Sequence, residues 1–263
     1  SSVTGVQTCA LPTSTSPDYW PINGKLMILP FLGMPGDDSI NDVYEQLCGE
    51  FPEIEEEMTA LNLKTLSSFF FLREDLYFTG DQKVEKVEDL KGLKIGVANS
   101  YVGNLINNAG GAPVTITQGD VYTTVESGVV DGIVHHDAFI RAGGAAELFK
   151  SVTMFGEEGM VREMGKFFIN LDTYDSMPAS LQKQLEDGFK QLAKDIAAAD
   201  KEVSAGLKAQ LEGAGCVFTE LTEDQVAPFK EAAKVVQEEC IKDLDSKGLP
   251  GTAIFERLQE ICK

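Results

Sequence analysis

The sequence has few histidines, few basic residues and no long apolar segment. Two histidines occur in 263 residues, and 22 lysines and arginines stand against 42 aspartates and glutamates, which gives a net charge of -20 at pH 7. A surface with this excess of negative charge repels phosphate groups, so nucleic acids and anionic membrane surfaces are disfavoured as partners. No run of about 18 apolar residues occurs, and direct insertion into a membrane is therefore not expected.

The cysteines of the chain do not form a metal-binding or redox motif. They lie at Cys9, Cys48, Cys216, Cys240 and Cys262. Cys240 and Cys262 flank a turn sequence and would form a disulfide if two C-terminal helices fold back on each other. The alternative is that they are buried or free thiols. The sequence also lacks a nucleophile motif, a metal-ligand cluster and a cofactor fingerprint, so no cofactor and no metal are predicted.

A strand–helix–strand–helix–strand unit occupies residues 94–134. Its strands are predicted at 94–98, 113–117 and 129–134. Asn99 or Ser100 is expected to cap the first helix and Asp120 the second. The short connections favour parallel strands with right-handed crossovers. The carboxyl ends of parallel strands share one edge of the sheet, where open α/β folds bind their ligands.

Polar residues follow each of these strands and are predicted to line a cleft at that edge. They are Asn99, Ser100, Tyr101, Gln118, His135 and His136. Helix N-termini offer unpaired N–H groups, which suit anionic or polar ligands. Capping alone is the alternative for Asn99 and Ser100, and ordinary packing or capping for the histidines. A metal site of His135, His136 and Asp137 is disfavoured, because neighbouring residues on a strand face opposite sides.

A cation for a carboxylate ligand is predicted at Arg73, within the sequence Arg73-Glu74-Asp75. The alternative for this segment is a solvated charge cluster. Arg141 and Arg162 are further candidates, but nothing in their spacing selects them. Residues 181–211 predict one long amphipathic helix, which is long enough to cross two lobes of a protein.

Several ordered motifs resemble the solute-binding proteins of TRAP (tripartite ATP-independent periplasmic) transporters. They are DLKGLKI at 89–95, DVY at 120–122, GVVDG at 128–132, NLDTY at 170–174 and LPFL at 29–32. The resemblance covers about residues 25–245. It implies an α/β, two-lobed fold like that of periplasmic binding proteins, with a long helix that spans both lobes. It also implies a protein that is not an enzyme.

The resemblance further implies a function in transport outside the cytoplasmic membrane. Family members bind a small organic acid in a cleft between the lobes and deliver it to the TRAP membrane subunits. Some members dimerise, so a homodimer is a possible partner arrangement. The chain is therefore expected in the periplasm or another extracytoplasmic space, although residues 1–20 show neither the basic nor the apolar region of a signal peptide.

The chain departs from the family pattern at its beginning. Residues 1–13 resemble translated sequencing-adapter DNA, and residues 1–20 are predicted to be a non-native or disordered leader. The first lobe is predicted to be incomplete, formed by 21–80 and 213–263. The second lobe is assigned to 81–172 and the connecting helix to 173–212.

The chain also departs from the family pattern at the expected ligand clamp. Many family members have an arginine that pairs with the ligand carboxylate at the position of Gly96. A second family arginine falls close to Leu76, with Arg73 three residues earlier. His135 stands where an asparagine is common, and Gln118 replaces an aromatic residue. The resemblance therefore predicts the architecture but does not supply the usual carboxylate contact.

Two alternative functions stay open from the sequence. One is a ligand-binding ectodomain of a sensor or adaptor, which would have the same fold with a different output. The other is an enzyme that uses His135 or Asp137 as an acid–base group. The enzyme is the weaker alternative because no catalytic motif accompanies these residues.

Overall fold

The computed structural model describes residues 20–35, 39–70, 73–162 and 164–262. The predicted adapter-like segment 1–13, and the leader apart from residue 20, lie outside this described part. The α/β class is confirmed, because strands and helices alternate along most of the described chain. None of the helices in the described ranges combines the length and the hydropathy needed to cross a membrane.

The strands are short and mostly buried. They are β1 (Leu63–Phe70), β2 (Glu74–Phe78), β3 (Lys94–Val97), β4 (Ala112–Thr115), β5 (Gly132–His136), β6 (Ser151–Met154), β7 (Met164–Asn170) and β8 (Val217–Glu220). The α-helices range from one turn to more than nine. They are α1 (Ser39–Glu50), α2 (Glu53–Thr59), α3 (Ser100–Asn108), α4 (Val121–Glu126), α5 (Asp137–Ala142), α6 (Leu171–Asp175), α7 (Ala179–Gly213), α8 (Glu223–Ser246) and α9 (Gly251–Ile261).

Six strands form one mixed sheet in the order β4-β3-β5-β2-β6-β8. β3 pairs in parallel with both β4 and β5, as the central unit predicts. β2 lies antiparallel between β5 and β6, so it begins at the edge where β5 ends. The residues at the start of β2 therefore reach the same edge as the carboxyl ends of the parallel strands.

The other two described strands, β1 and β7, form a separate antiparallel sheet. The long helix α7 packs along β1 and also contacts α5 beside the six-stranded sheet. The prediction of one long helix is confirmed, and its 35 residues connect the two sheets. The proposed division of the chain into lobes at residues 80, 172 and 212 stays a prediction.

The two faces of the six-stranded sheet have separate cores, because side chains alternate along each strand. On one face, Leu76 and Phe78 join a cluster with residues of α3 and α8. On the other face, Tyr77 joins a cluster with Leu207 and Leu211 of α7. The helix α7 therefore closes over the face that Tyr77 occupies.

The structure moves the start of one predicted strand and decides between the two alternatives for the cysteines. The segment Leu26–Ile28 is a buried 3-10 helix. The third predicted strand begins later, at Gly132, because Gly128 ends the preceding helix in a left-handed conformation and a turn follows. Cys240 and Cys262 are free thiols, and the other cysteines of the described residues, Cys48 and Cys216, are free as well. Cys9 lies outside the described part.

Candidate functional site

A cavity of about 180 Å³ lies between the six-stranded sheet and α7. Its polar lining comes from the start of β2, the start of α5 and one side of α7. These residues are Arg73, Asp75, Tyr77, Asp137, Ser204 and Lys208. Its apolar lining comes mainly from β6, β8 and α7. These residues are Val152, Met154, Ala205, Leu211 and Phe218.

Arg73 is the central cation of this cavity. Its Nε atom lies 3.0 Å from Oδ2 of Asp75, and its Nη1 donates a hydrogen bond of 2.8 Å to the carbonyl oxygen of Gly156. Within the described residues, Nη2 contacts only the sulfur of Met154, at 3.8 Å. The side chain is 25% exposed. The inner edge of the guanidinium, Nε and Nη1, is therefore held by protein oxygens. Its outer edge, at Nη2, is available to a ligand.

Asp75 orients this arginine from a buried position. Its carboxylate is 4% exposed and also accepts a hydrogen bond of 2.9 Å from the backbone N–H of Phe155. Burial raises the pKa of Asp75 to about 7, against the lowering effects of Arg73 and the Phe155 N–H. The nearby carboxylates of Asp137 and Glu220 raise this pKa further. The net charge of the Arg73–Asp75 pair therefore changes near neutral pH, where Asp75 exchanges its proton.

His135 lies beside Asp75, because the two residues are directly opposite each other in the β2–β5 pairing. Paired residues of neighbouring strands point to the same face of a sheet. Burial lowers the pKa of His135 to about 4, so the imidazole is neutral at pH 7. Its Nδ1 accepts a hydrogen bond of 3.0 Å from the backbone N–H of His136. The structure thus brings two of the predicted site residues, Arg73 and His135, to one face.

Polar side chains of α5 and α7 also line the cavity. The hydroxyl of Tyr77 donates a hydrogen bond to Oδ1 of Asp137, at the first turn of α5. Lys208 of α7 has no carboxylate within 4.0 Å among the described residues, and its Nζ lies 5.3 Å from the ring centroid of Phe218. Ser204 stands one turn before Lys208, on the same side of the helix.

The position of Arg73 depends on a glycine in the neighbouring loop. Gly159 has φ of +66°, and a Cβ atom added there would lie 2.4 Å from Cβ of Arg73 and 2.7 Å from the carbonyl oxygen of Glu74. Neither contact is sterically allowed, and the positive φ itself disfavours other residues. Gly159 therefore lets the loop approach the start of β2.

Gly96 stands where the family arginine is expected, and the structure gives no space for a longer side chain. A Cβ atom at this position would lie 2.9 Å from Cγ2 of Ile133 and 3.1 Å from Cδ1 of Ile116. Both isoleucines belong to the cluster that contains Tyr77. The cations that line the cavity, Arg73 and Lys208, therefore come from the start of β2 and from α7 rather than from β3.

Asn99 and Tyr101 are engaged in holding the fold together. Asn99 caps α3 by accepting hydrogen bonds from the N–H groups of Tyr101 and Val102, and its Nδ2 donates one of 2.7 Å to the carbonyl oxygen of Ile28. Tyr101 packs against the core cluster on the opposite face from Tyr77. Ser100, the first residue of α3, is exposed.

We expect Asn99→Ala to lower the free energy of unfolding by about 2 kcal/mol, since it removes a helix cap and leaves a buried carbonyl oxygen unpaired. Urea denaturation measures this loss. Asn104→Ala, in an exposed position of the same helix, is the matched control and should change stability little. Unchanged stability of Asn99→Ala would show that the cap is dispensable.

The remaining predicted residues lie away from the cavity or outside the description. His136 alternates to the opposite face from His135 and packs on Phe139, with ring centroids 4.0 Å apart. Gln118 opens the 3-10 helix Gln118–Asp120, and its side chain is outside the described part. Arg141 is exposed on α5, and Arg162 is buried and donates to the carbonyl oxygen of Pro35.

Five polar residues of the cavity lining are not among the ligand contacts predicted from the sequence: Asp75, Tyr77, Asp137, Ser204 and Lys208. The first two follow Arg73 at alternate positions of a strand, so a period of two predicts their common face. The last two are one turn apart on a long helix. No local signal in the sequence indicates that these two elements meet.

Comparison with known proteins agrees with the family resemblance that the sequence motifs indicate. A family sequence model described as bacterial extracellular solute-binding protein, family 7, matches residues 5–243. The ectoine-binding periplasmic protein TeaA of Halomonas elongata is 22% identical over 235 residues, which is 86% of this chain and 66% of TeaA. The chain therefore spans slightly less than two thirds of that relative.

Solved structures agree with the architecture. A TRAP solute-binding protein from a marine metagenome, specific for aromatic acid ligands, superposes with a TM-score of 0.82 at 19% identity, over 97% of this chain and 79% of that chain. A TRAP solute-binding protein from Rhodoferax ferrireducens, in complex with copurified benzoate, gives 0.83 at 16% identity, over 98% and 79%. The predicted two-lobed fold of TRAP solute-binding proteins is thereby confirmed.

Proposed function

Because this chain belongs to the bacterial extracellular solute-binding protein family 7, we propose that it captures a small organic acid outside the cytoplasmic membrane. In this proposal the protein is the solute-binding subunit of a TRAP transporter. It delivers its ligand to the membrane subunits, which carry the ligand across the bilayer.

The observation that carries this proposal is the available cation in the cavity. The outer edge of Arg73 has donors without a protein oxygen acceptor among the described residues. A guanidinium donates two parallel hydrogen bonds to a carboxylate, which gives both affinity and orientation. Lys208 adds a second positive charge to the same cavity. The volume of about 180 Å³ is below the usual range of ligand pockets, so it suits a small molecule.

The predicted site residues divide into three groups in this proposal. Arg73 contacts the ligand carboxylate, and neutral His135 supports the site from the neighbouring strand. Asn99 and Tyr101 act through the fold. Contacts of Ser100, Gln118 and His136 with a ligand remain predictions that a structure of the complex tests.

The proposed partners are the TRAP membrane subunits and the solute, and the proposed location is the periplasm. The match to the periplasmic protein TeaA supports this location. The net charge of -20 supports the proposal that nucleic acids are not partners. A homodimer remains a prediction, which light scattering after size-exclusion chromatography tests.

An acid–base role of His135 is disfavoured in this proposal. A group with a pKa of about 4 is almost fully deprotonated at pH 7, and it is a weak base there. The hydroxyl of Tyr77 already occupies one oxygen of Asp137. The enzyme alternative therefore gains no support from the geometry.

Thermal-shift measurement with the full chain tests the proposal. A panel of monocarboxylates, hydroxy acids, aromatic acids, amino acids and sugars is added at millimolar concentration. A ligand that binds only the native state raises the melting temperature by mass action. We expect at least one carboxylate to raise it and neutral sugars to leave it unchanged. A cooperatively folded protein that responds to sugars and to no carboxylate would contradict the proposal.

A further inference from the structure

The polar groups of the cavity include both signs of charge. Arg73 and Lys208 are the cations, and Asp75 and Asp137 are the carboxylates. A site that selected simple organic anions would gain nothing from a carboxylate in contact with the ligand, because like charges at close range disfavour binding. The presence of a second acid therefore calls for a ligand group that compensates it.

The two carboxylates are not equivalent. Asp75 is buried and is occupied on both oxygens, by Arg73 and by the N–H of Phe155. Asp137 accepts a hydrogen bond from Tyr77 at Oδ1, and within the described residues its Oδ2 has no hydrogen-bond or ion-pair partner. Asp137 is thus the carboxylate that remains available at the cavity surface.

The two cations also differ in whether a protein carboxylate already pairs with them. The inner edge of Arg73 is held by Asp75 and Gly156. The ammonium of Lys208 has no acidic partner within 4.0 Å in the described ranges. Nη2 of Arg73, the ammonium of Lys208 and Oδ2 of Asp137 therefore belong to the lining of a single small volume. Apolar side chains of Val152, Met154, Leu211 and Phe218 complete its wall.

From this arrangement we propose that the solute is a small zwitterion with a compact apolar body. Its carboxylate binds Arg73 and Lys208, and its ammonium or amidinium group binds Oδ2 of Asp137. The inference rests on the proposed function, whose solute-capturing site it specifies further. Both charges of such a solute are paired, so neither the ligand nor Asp137 is left desolvated without a partner.

The test is calorimetric titration of the full chain with matched pairs of compounds. L-Proline is compared with cyclopentanecarboxylate, 4-aminobutyrate with pentanoate, and L-phenylalanine with 3-phenylpropionate. The members of each pair share their shape and carboxylate and differ in the cationic nitrogen. We expect the zwitterion to bind at least about tenfold more tightly in every pair that binds, the effect of one charge-assisted hydrogen bond.

Two variants test whether Asp137 is the residue that causes the preference for the zwitterion. Asp137→Asn keeps an oxygen for the Tyr77 hydroxyl and should remove the preference for the zwitterion without weakening the binding of the simple acid. Asp81→Asn, at an exposed position outside the cavity, removes the same charge and should change neither affinity.

Each other outcome contradicts a defined part of the account. Equal or tighter binding of the simple acids overturns the zwitterion inference and leaves the proposed function intact. The same holds if carboxylates of the thermal-shift panel bind and none of the three zwitterions does. If no compound of either panel binds, the inference and the proposed function both fail.

Discussion

Arg73→Gln is expected to weaken the binding of every carboxylate solute by at least about 100-fold. The substitution removes a bidentate, charge-assisted contact and leaves Asp75 buried without its cation. Loss of one partner from a buried charged pair costs about 2–5 kcal/mol in binding, and 100-fold corresponds to about 2.7 kcal/mol. Calorimetric titration of the solute identified by thermal shift measures the change.

Arg141→Gln is the matched control for this prediction. Arg141 is exposed on α5, so its substitution changes net charge equally without altering the cavity. We expect its affinity to stay within about twofold of the unsubstituted protein, since isolated surface charges contribute little. Arg73→Lys should bind with intermediate affinity, because it keeps the charge and loses the planar fork. Equal affinities of the two glutamine variants would contradict the assignment of Arg73.

Asp75→Asn is expected to change the pH dependence of folding stability. In the folded protein burial raises the pKa of Asp75 from 3.8 to about 7. Between these values the folded state holds a proton that the unfolded state has released. The stabilisation from this group, roughly 4 kcal/mol, is therefore complete below pH 3.8 and is lost as the pH rises through about 7. The stability of Asp75→Asn relative to the unsubstituted protein should rise over that interval.

His135 has the opposite effect over nearly the same interval. Burial lowers its pKa from 6.5 to about 4, so its stabilising contribution is present above pH 6.5 and is lost as the pH falls to 4. The two contributions partly cancel in the unsubstituted protein. As the pH rises, the folding stability of Asp75→Asn should therefore increase, and that of His135→Gln should decrease.

Urea denaturation at pH 4, 5, 6, 7 and 8 measures these slopes. Asp81→Asn, at an exposed position, is the control and should follow the unsubstituted protein. A stability difference between Asp75→Asn and the unsubstituted protein that is constant from pH 4 to pH 8 would contradict the raised pKa. A constant difference for His135→Gln would contradict the lowered one.

The sequence predicted the central unit because its signals are local. Gly110 and Gly128 follow the ends of α3 and α4 in a left-handed conformation, and Asn99 caps α3 through its side chain as predicted. The hydrophobic period of α7 is sustained over many turns, so one long helix was the simplest interpretation. The family prediction is confirmed by the match over residues 5–243.

The cavity was only partly predictable because it depends on contacts between distant segments. The sequence identifies Arg73 as a candidate by its charge, but a solvated charge cluster is an equally open interpretation of the segment that contains Arg73 and Asp75. The structure buries Asp75 because β2 runs between β5 and β6. Lys208 lies about 130 residues later in the chain, on a helix whose polar side alone does not indicate a site. Sequence periodicity predicts which face of a helix or strand is buried, but it does not predict which other element packs against that face.

A crystal structure of the protein with the solute identified by thermal shift tests the central claim most directly. We predict electron density for the solute between the six-stranded sheet and α7, with its carboxylate within hydrogen-bond distance of the Arg73 guanidinium. A solute bound instead on the opposite face, in contact with Asn99, Ser100 or His136 and away from Arg73, would contradict the account.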